Sequence, residues 1–197
     1  ERPALEKLAG FNVTIPHKIG ILPLLSRLAP SAERYQAVNT VACTPEGMVG
    51  YNTDVDGFLG ALEAAALPLA GKVCVLGCGG AGRMMCIEAV LHDCALTIGV
   101  RPTSLQRANT LKAELEAMRP GAAVEVALLE SLAGPFDLLL NATPSGMFPK
   151  CDAMPVSPAL LEEVSGVFDC IYNPSSTKLL GRAKALGIPA IGGMHML

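Results

Sequence analysis

Val73-Cys74-Val75-Leu76-Gly77-Cys78-Gly79-Gly80-Ala81-Gly82 decides how this chain folds. An apolar, strand-like run ends in glycines at 77, 79 and 82, and a helix-compatible run, Arg83 to His92, follows at once. That order suits a dinucleotide's diphosphate. Gly77 permits the tight turn, Gly79 lets the backbone approach the phosphates, and Gly82 lets helix and strand pack closely. The following helix N-terminus offers free N–H groups and a partial positive charge. Taken alone, the same pattern also describes a glycine-rich turn without function.

Working outward, the residues after Lys72 alternate strand and helix. Strand-like runs are Val73–Leu76, Ala95–Val100, Val124–Leu128, Phe136–Asn141, Val167–Tyr172 and Ile188–Ile191. Helix-like runs are Gly82–His92, Ser104–Met118, Pro158–Val164 and Lys178–Leu186. This alternation predicts an α/β fold with a mostly parallel, doubly wound sheet. Residues 144–158 hold four prolines and predict an irregular loop after a strand end, the side of such sheets where ligands bind. Residues 1–56 read differently. They hold a strand over Gly10–Ile15 closed by Pro16, and a helix-like stretch from Lys18 to Leu28 that Pro23 must interrupt. A hairpin over Val38–Cys43 and Met48–Tyr51 follows, with a turn at Glu46-Gly47. An amphipathic helix then spans Val55–Ala66, and Pro68 and Gly71 mark its end. The expected organisation is a smaller α/β domain over 1–56, a connecting helix and hinge over 57–71, a dinucleotide-binding domain over 72–192, and the start of a returning helix at 193–197.

Composition narrows the function classes. Of 197 residues, 51% are hydrophobic and 17% charged, which excludes global disorder. The net charge of −3, with no dense basic cluster, argues against a nucleic-acid surface. No apolar run reaches the roughly 18 residues of a membrane span. Seven cysteines, an odd count with no Cys-x-x-Cys, read as reduced, buried thiols in a cytoplasmic protein. The three histidines lack metal-ligand spacing, so no metal site is expected.

Several polar residues could carry chemistry. After the second strand of the alternating region, Val100-Arg101-Pro102-Thr103-Ser104 lacks the acid that binds a ribose 2′-hydroxyl. Arg101 could hold a 2′-phosphate, with Thr103 or Ser104 assisting; the plainer reading is an exposed Arg and a helix cap. Lys18 follows the Pro16-His17 turn. In a partly apolar cleft such a lysine can donate and retrieve a proton at a carbonyl oxygen, although most lysines are simply solvated. Asp54 begins a helix, so capping by Thr53 or Asp54 is the default expectation. Asn12, Thr14, Asn39 and Asn52 stand among apolar neighbours and could serve a polyol ligand or merely turns.

Seven segments in collinear order resemble shikimate dehydrogenases. They are Asn12-Val13-Thr14-Ile15-Pro16-His17-Lys18, Val38-Asn39-Thr40, Asn52-Thr53-Asp54-Val55-Asp56-Gly57, the glycine loop, Asn141-Ala142-Thr143-Pro144-Ser145-Gly146-Met147, Asp169-Cys170-Ile171-Tyr172-Asn173-Pro174 and Gly192-Gly193-Met194-His195-Met196-Leu197. The resemblance implies a Rossmann-type NADP domain plus a smaller substrate domain, cut short at both ends. The family's paired serines would lie ahead of Glu1, and its glutamine and C-terminal helix beyond Leu197. It also implies NADPH-dependent, reversible reduction of 3-dehydroshikimate to shikimate, in aromatic amino-acid (chorismate) biosynthesis. Lys18 and Asp54 would be the catalytic pair, and Thr14, Asn39, Asp54 and Tyr172 would touch the substrate. Gly77, Gly79, Gly80, Ala81, Arg101 and Thr103 would hold the cofactor. Thr143, Gly193, Met196 and Leu197 would lie near its nicotinamide. The cofactor segment departs from the family's Asn-Arg-Thr. Its longer spacing from Arg101 to Arg107 resembles quinate/shikimate dehydrogenases, except that Thr103 stands where those carry an acid. Broader quinate and NAD use, or a sensing module without turnover, are the alternatives. The expected partner is a small molecule, with no nucleic acid or membrane, for a monomer or homodimer.

Overall fold

The computed structural model describes residues 8–14 and 16–196. The chain divides into two compact units, Glu1–Asp56 and Gly57–Leu197.

The first unit is built on a four-stranded mixed sheet. Its strands are β1 (Gly10–Asn12), β2 (Arg27–Leu28), β3 (Thr40–Thr44) and β4 (Gly47–Tyr51), in the order β1-β3-β4-β2. The expected hairpin is β3–β4, antiparallel from Thr40↔Tyr51 to Thr44↔Gly47. Gly47 opens β4 at φ +119, a conformation that L side chains rarely adopt. One face buries Val13, Ala32, Val38, Val41 and Met48 against Phe11, Ile21, Leu22, Leu25 and Leu28. Two expectations are corrected here. The Gly10–Ile15 strand pairs only through Asn12, and Ile15 lies outside the described residues. The Lys18–Leu28 stretch is not one helix. It forms a single turn α1 (His17–Gly20), a 3-10 turn Leu22–Leu24 around Pro23, and then β2, parallel to β4. Pro23 cannot donate to a continuing helix, so the chain tightens and turns into the sheet. A short helix α2 (Pro30–Tyr35) follows, with Pro at its first position. It buries Ala32 and Tyr35.

Helix α3 (Asp54–Ala64) leads into the second unit. There β5 (Lys72–Leu76), β6 (Ala95–Val100), β7 (Val124–Leu128), β8 (Leu138–Asn141), β9 (Val167–Asp169) and β10 (Ala190–Gly192) form one parallel sheet. The order is β10-β9-β8-β5-β6-β7. Numbered from β5, this is the doubly wound order 3-2-1-4-5-6, in which direction reverses between β5 and β8. Strands β5 and β8 lose water on both faces, which explains their unbroken Val, Leu and Cys runs. The helices are α4 (Gly80–Leu91), α5 (Leu105–Met118), α6 (Pro158–Leu161) and α7 (Lys178–Ala185). Leu160, Leu161, Leu179, Leu180 and Ala183 cover one sheet face with Cys74, Leu76 and Leu139. Phe58 meets Phe168 edge-on, with ring centroids 5.2 Å apart. The Val167–Tyr172 run is corrected: the strand ends at Asp169, whose buried carboxylate takes bonds from Asn141 and Thr177. The Phe136 end of β8 keeps only a bridge to Val164.

None of the seven cysteines, all among the described residues, is in a disulfide; four are buried and Cys43, Cys151 and Cys170 partly so. Burial pushes the Cys74 thiol up to about 12, so it stays protonated and inert at neutral pH. Among the described residues no helix is long and apolar enough to cross a membrane, and no His/Cys/Asp/Glu group could hold a metal ion.

Candidate active site and dinucleotide loop

In the first unit, Lys18 and Asp54 meet although 36 residues separate them. Lys18 Nζ donates to Asp54 Oδ2 at 2.6 Å, with side-chain exposures of 18% and 15%. Local structure on both sides sets this geometry. The Lys18 carbonyl accepts from Val38 N–H, and the Thr14 carbonyl accepts from His17 N–H, so α1 is tied to the chain that enters β3. Asn39 Nδ2 donates to Asp54 Oδ1 and to Thr53 Oγ1, both at 2.9 Å. Its own Oδ1 takes Thr53 N–H at 3.0 Å and the Thr40 hydroxyl at 3.1 Å. Both oxygens of Asp54 are therefore engaged, one by an ammonium and one by an amide.

Beside the expected caps of α3, Thr53 and Asp54, Asn52 makes a bond at the start of the helix. Asn52 Oδ1 accepts Asp54 N–H at 3.0 Å, which leaves the Asp54 carboxylate to Lys18 and Asn39. Asn52 is buried, and its Nδ2 donates to the Ala37 carbonyl at 3.1 Å. Its polarity is structural rather than ligand-directed. Asn52→Ala would orphan the Ala37 carbonyl and release the start of α3, with an expected loss of about 1–3 kcal/mol. Equilibrium urea unfolding checks this. Thr14 is exposed, as is Asn12. The pair thus presents a cation held at a carboxylate, partly open to water and flanked by amide and hydroxyl groups. This arrangement can bind vicinal hydroxyls and pass a proton.

In the second unit the glycine turn sits at the switch point. Leu76 of β5 is in register with Asn141 of β8, and Ala142 N–H donates to the Leu76 carbonyl at 3.0 Å. Gly77 adopts φ +92, and a Cβ there would press on Thr143 Cγ2. A Cβ on Gly82 would collide with the Gly77 carbonyl, whereas one on Gly79 would meet nothing within 4 Å. The three glycines therefore have separate reasons: a left-handed turn, an open approach and a close helix–strand contact. Gly80 and Ala81 form the first turn of α4, a 12-residue helix whose leading amides face that opening. The residues fit a dinucleotide diphosphate on this geometry.

Arg101 and Thr103 are exposed beyond β6, at the 3-10 turn Pro102–Ser104. Ser104 stands at the N-cap of α5, but its side chain makes no capping bond, which corrects the plain capping reading. Arg107 Nε lies 3.3 Å from the Cys78 thiol, tying α5 to the glycine turn. Tyr172 is half exposed just past β9. Gly193 packs against the Cys170 carbonyl where no Cβ fits. A Cβ on Gly57 would likewise press on the Met196 backbone. Leu197 lies outside the described residues.

Reading the sequence missed one cluster. Asn141, Asp169 and Thr177 are all buried, and Asn141 and Thr177 each donate to the Asp169 carboxylate. Burial raises the Asp169 carboxyl above its ordinary value, against the pull of bonds from Thr177, the Ile171 amide and Asn141. The available signal was a polar residue inside each of two apolar runs, Leu138–Asn141 and Val167–Asp169.

Fold and site together define a Rossmann-type α/β protein with a lysine–carboxylate pair in a second, smaller α/β unit. Comparison with known proteins gives that class its family. Residues 2–41 match the family model described as shikimate dehydrogenase substrate binding domain. The NADP(+) shikimate dehydrogenase of Moorella thermoacetica is 37% identical over 95% of this chain and 65% of its own length. That of Shouchella clausii is 38% identical over 95% of this chain and 68% of its own. The shikimate 5-dehydrogenase structure from Thermus thermophilus, in complex with NADP(H) and shikimate, superposes with a TM-score of 0.84 at 34% identity. It covers 99% of this chain and 70% of that one. The chain belongs to the shikimate dehydrogenase family, and it spans about two thirds of the length of the Moorella relative.

Proposed function

We propose that the protein is an NADP-dependent shikimate dehydrogenase that reduces 3-dehydroshikimate reversibly to shikimate. The observation that carries this reading is the Lys18–Asp54 ion pair, braced by Asn39, in a chain of this family. Lys18 and Asp54 are the proposed catalytic pair, and Thr14, Asn39 and Tyr172 the substrate contacts. The Lys18 ammonium donates a proton to the substrate oxygen as that oxygen gains charge, and takes it back in the reverse direction. Asp54 holds the ammonium in place and accepts from a neighbouring hydroxyl. Gly77, Gly79, Gly80 and Ala81 would seat the diphosphate, with Thr143, Gly193 and Met196 toward the nicotinamide. When bound, NADPH supplies the hydride to the carbonyl carbon. Seven cysteines outside any disulfide support a reducing, cytoplasmic setting for a protein that is a monomer or homodimer.

The test is NADPH oxidation dependent on 3-dehydroshikimate, with shikimate identified as the product. A protein that binds both compounds without turnover would instead be a sensor. The exposed Arg101 is the proposed 2′-phosphate ligand, with Thr103 beside it. Arg101→Ala is expected to raise KM for NADPH at least tenfold and to change KM for NADH little. Equal losses with the two cofactors would contradict this role. A second arm with quinate measures how wide the substrate range is. One similar structure, a quinate dehydrogenase from Corynebacterium glutamicum solved with NAD, is 32% identical with a TM-score of 0.82.

A further inference from the structure

The buried trio at the ends of β8 and β9 has a fixed direction. Asn141 Nδ2 donates to Asp169 Oδ1 at 2.9 Å. That same oxygen takes Ile171 N–H at 3.2 Å, so it acts as an acceptor. On its other side, Asn141 Oδ1 lies 3.1 Å from Thr143 N–H and 2.7 Å from Thr143 Oγ1. A backbone N–H can only donate. The Asn141 amide is thus oriented from both ends, oxygen toward Thr143 and nitrogen toward Asp169. Protonating Asp169 on Oδ2, which faces the Thr177 hydroxyl at 2.6 Å, would not reverse this.

The consequence falls on Thr143. Its hydroxyl faces a carbonyl oxygen and must donate its only proton there. One of its lone pairs takes Ser145 N–H at 3.2 Å. One lone pair remains, so toward a ligand this hydroxyl can accept but cannot donate. Thr143 is only partly buried, and its methyl touches the space beside Gly77 at the switch point between β5 and β8. Ligands of doubly wound sheets lie in that crevice.

We propose that Asp169 is a positioning residue that acts through Asn141. It locks Thr143 Oγ1 as a hydrogen-bond acceptor for the nicotinamide riboside half of NADP, from either a carboxamide N–H or a ribose hydroxyl. The inference rests on the NADP reading above. An acceptor of fixed polarity selects a donor, because a ligand acceptor placed there would face a lone pair with no proton to share.

The experiment is calorimetric titration of NADP⁺ into wild type, Thr143→Val, Asp169→Ala, Asp169→Asn and the double variant Thr143→Val/Asp169→Ala. No turnover is needed. Thr143→Val is expected to weaken binding about tenfold, the scale of one hydrogen bond. Asp169→Ala leaves the buried Asn141 Nδ2 without its acceptor, so the amide loses one of the two restraints that orient it, and binding is expected to weaken similarly. The double variant should bind no more weakly than Thr143→Val alone, because both changes remove the same contact. Asp169→Asn keeps an acceptor oxygen toward Asn141 and should bind within about twofold of wild type. The 3-acetylpyridine analogue of NADP⁺, which lacks the carboxamide N–H, separates the two donor sources. If the Thr143→Val penalty disappears with it, the carboxamide is the donor; if the penalty persists, a ribose hydroxyl is. Wild-type-like affinity in Thr143→Val, or losses that multiply in the double variant, would overturn the inference while leaving the NADP reading intact. Absence of NADP⁺ binding by wild type would overturn both. If Asp169→Ala does not fold, Asp169→Leu, which fills the buried volume without offering an acceptor, takes its place in the cycle with Thr143→Val, with the same outcomes.

Discussion

Lys18→Ala is expected to lower kcat for 3-dehydroshikimate reduction by about two to four orders of magnitude, the usual contribution of a positioned proton donor. The magnitude follows from how firmly the ammonium is placed. It lies 2.6 Å from Asp54 Oδ2, the other Asp54 oxygen is taken by Asn39, and the Lys18 carbonyl is pinned by Val38 N–H. Removing the side chain leaves the carboxylate behind, now without its cation, at the start of α3. A substrate oxygen developing negative charge would then face a carboxylate instead of an ammonium, so KM should rise as well. Lys18→Met separates these effects, since it keeps the apolar stem and loses only charge and proton. The two variants should lose similar factors in kcat. Unchanged kcat in either would remove Lys18 from the proton path. Thermal melts of both variants separate this loss from a loss of folding, because the pair is mostly buried and Asp54 is left without its cation.

Gly82→Ala is expected to abolish measurable NADPH binding and to destabilise the second unit. The added Cβ would overlap the Gly77 carbonyl, which is backbone and cannot rotate away. Either α4 lifts from β5 or the turn at Gly77 is displaced, and both move the leading amides of α4 from their aim. Overpacking of this kind costs about 1–3 kcal/mol of stability. Gly79→Ala is the informative counterpart. At φ −74 and with nothing within 4 Å, alanine fits there without strain. Its thermal stability should match wild type, while NADPH binding weakens because the methyl occupies the approach of the diphosphate. Titration of NADPH alongside thermal melts distinguishes them. If Gly79→Ala binds as tightly as wild type, no phosphate approaches at that residue.

The sequence carried the second unit's architecture well because its signals are long. Ala95–Val100 and Val124–Leu128 are strands over the residues expected, and the Ser104–Met118 helix begins only one residue later, at Leu105. Buried parallel strands show unbroken apolar runs, and long helices show their period clearly. Shorter elements of the first unit were less legible. A two-residue strand at Arg27–Leu28 and a four-residue helix at His17–Gly20 have no period to read. Their positions are set by pairing with β4 and by packing under Ile21, Leu22 and Leu25. The six-residue α2 was missed although Pro30 stands at its first turn, where proline is favoured.

The site was legible in parts. Spacing alone offered no reason for Lys18 and Asp54 to meet; their motifs suggested it, and the fold of 1–56 makes the contact. Asn52 and Asn39 looked alike in sequence, yet one is a buried backbone brace and the other holds the carboxylate. Only three-dimensional packing separates them. Asp169 read as the middle of an apolar strand because one acid among five apolar residues barely alters the pattern. Its partners, Asn141 and Thr177, lie 28 and 8 residues away.

The measurement that bears most directly on the central reading is the single-turnover rate of shikimate formation from 3-dehydroshikimate and NADPH, in wild type and Lys18→Met. The expected result is rapid conversion in wild type with shikimate as product, and loss of most of that rate in Lys18→Met while NADPH still binds. Wild type that binds both compounds and forms no shikimate, or an undiminished rate in Lys18→Met, would contradict the account.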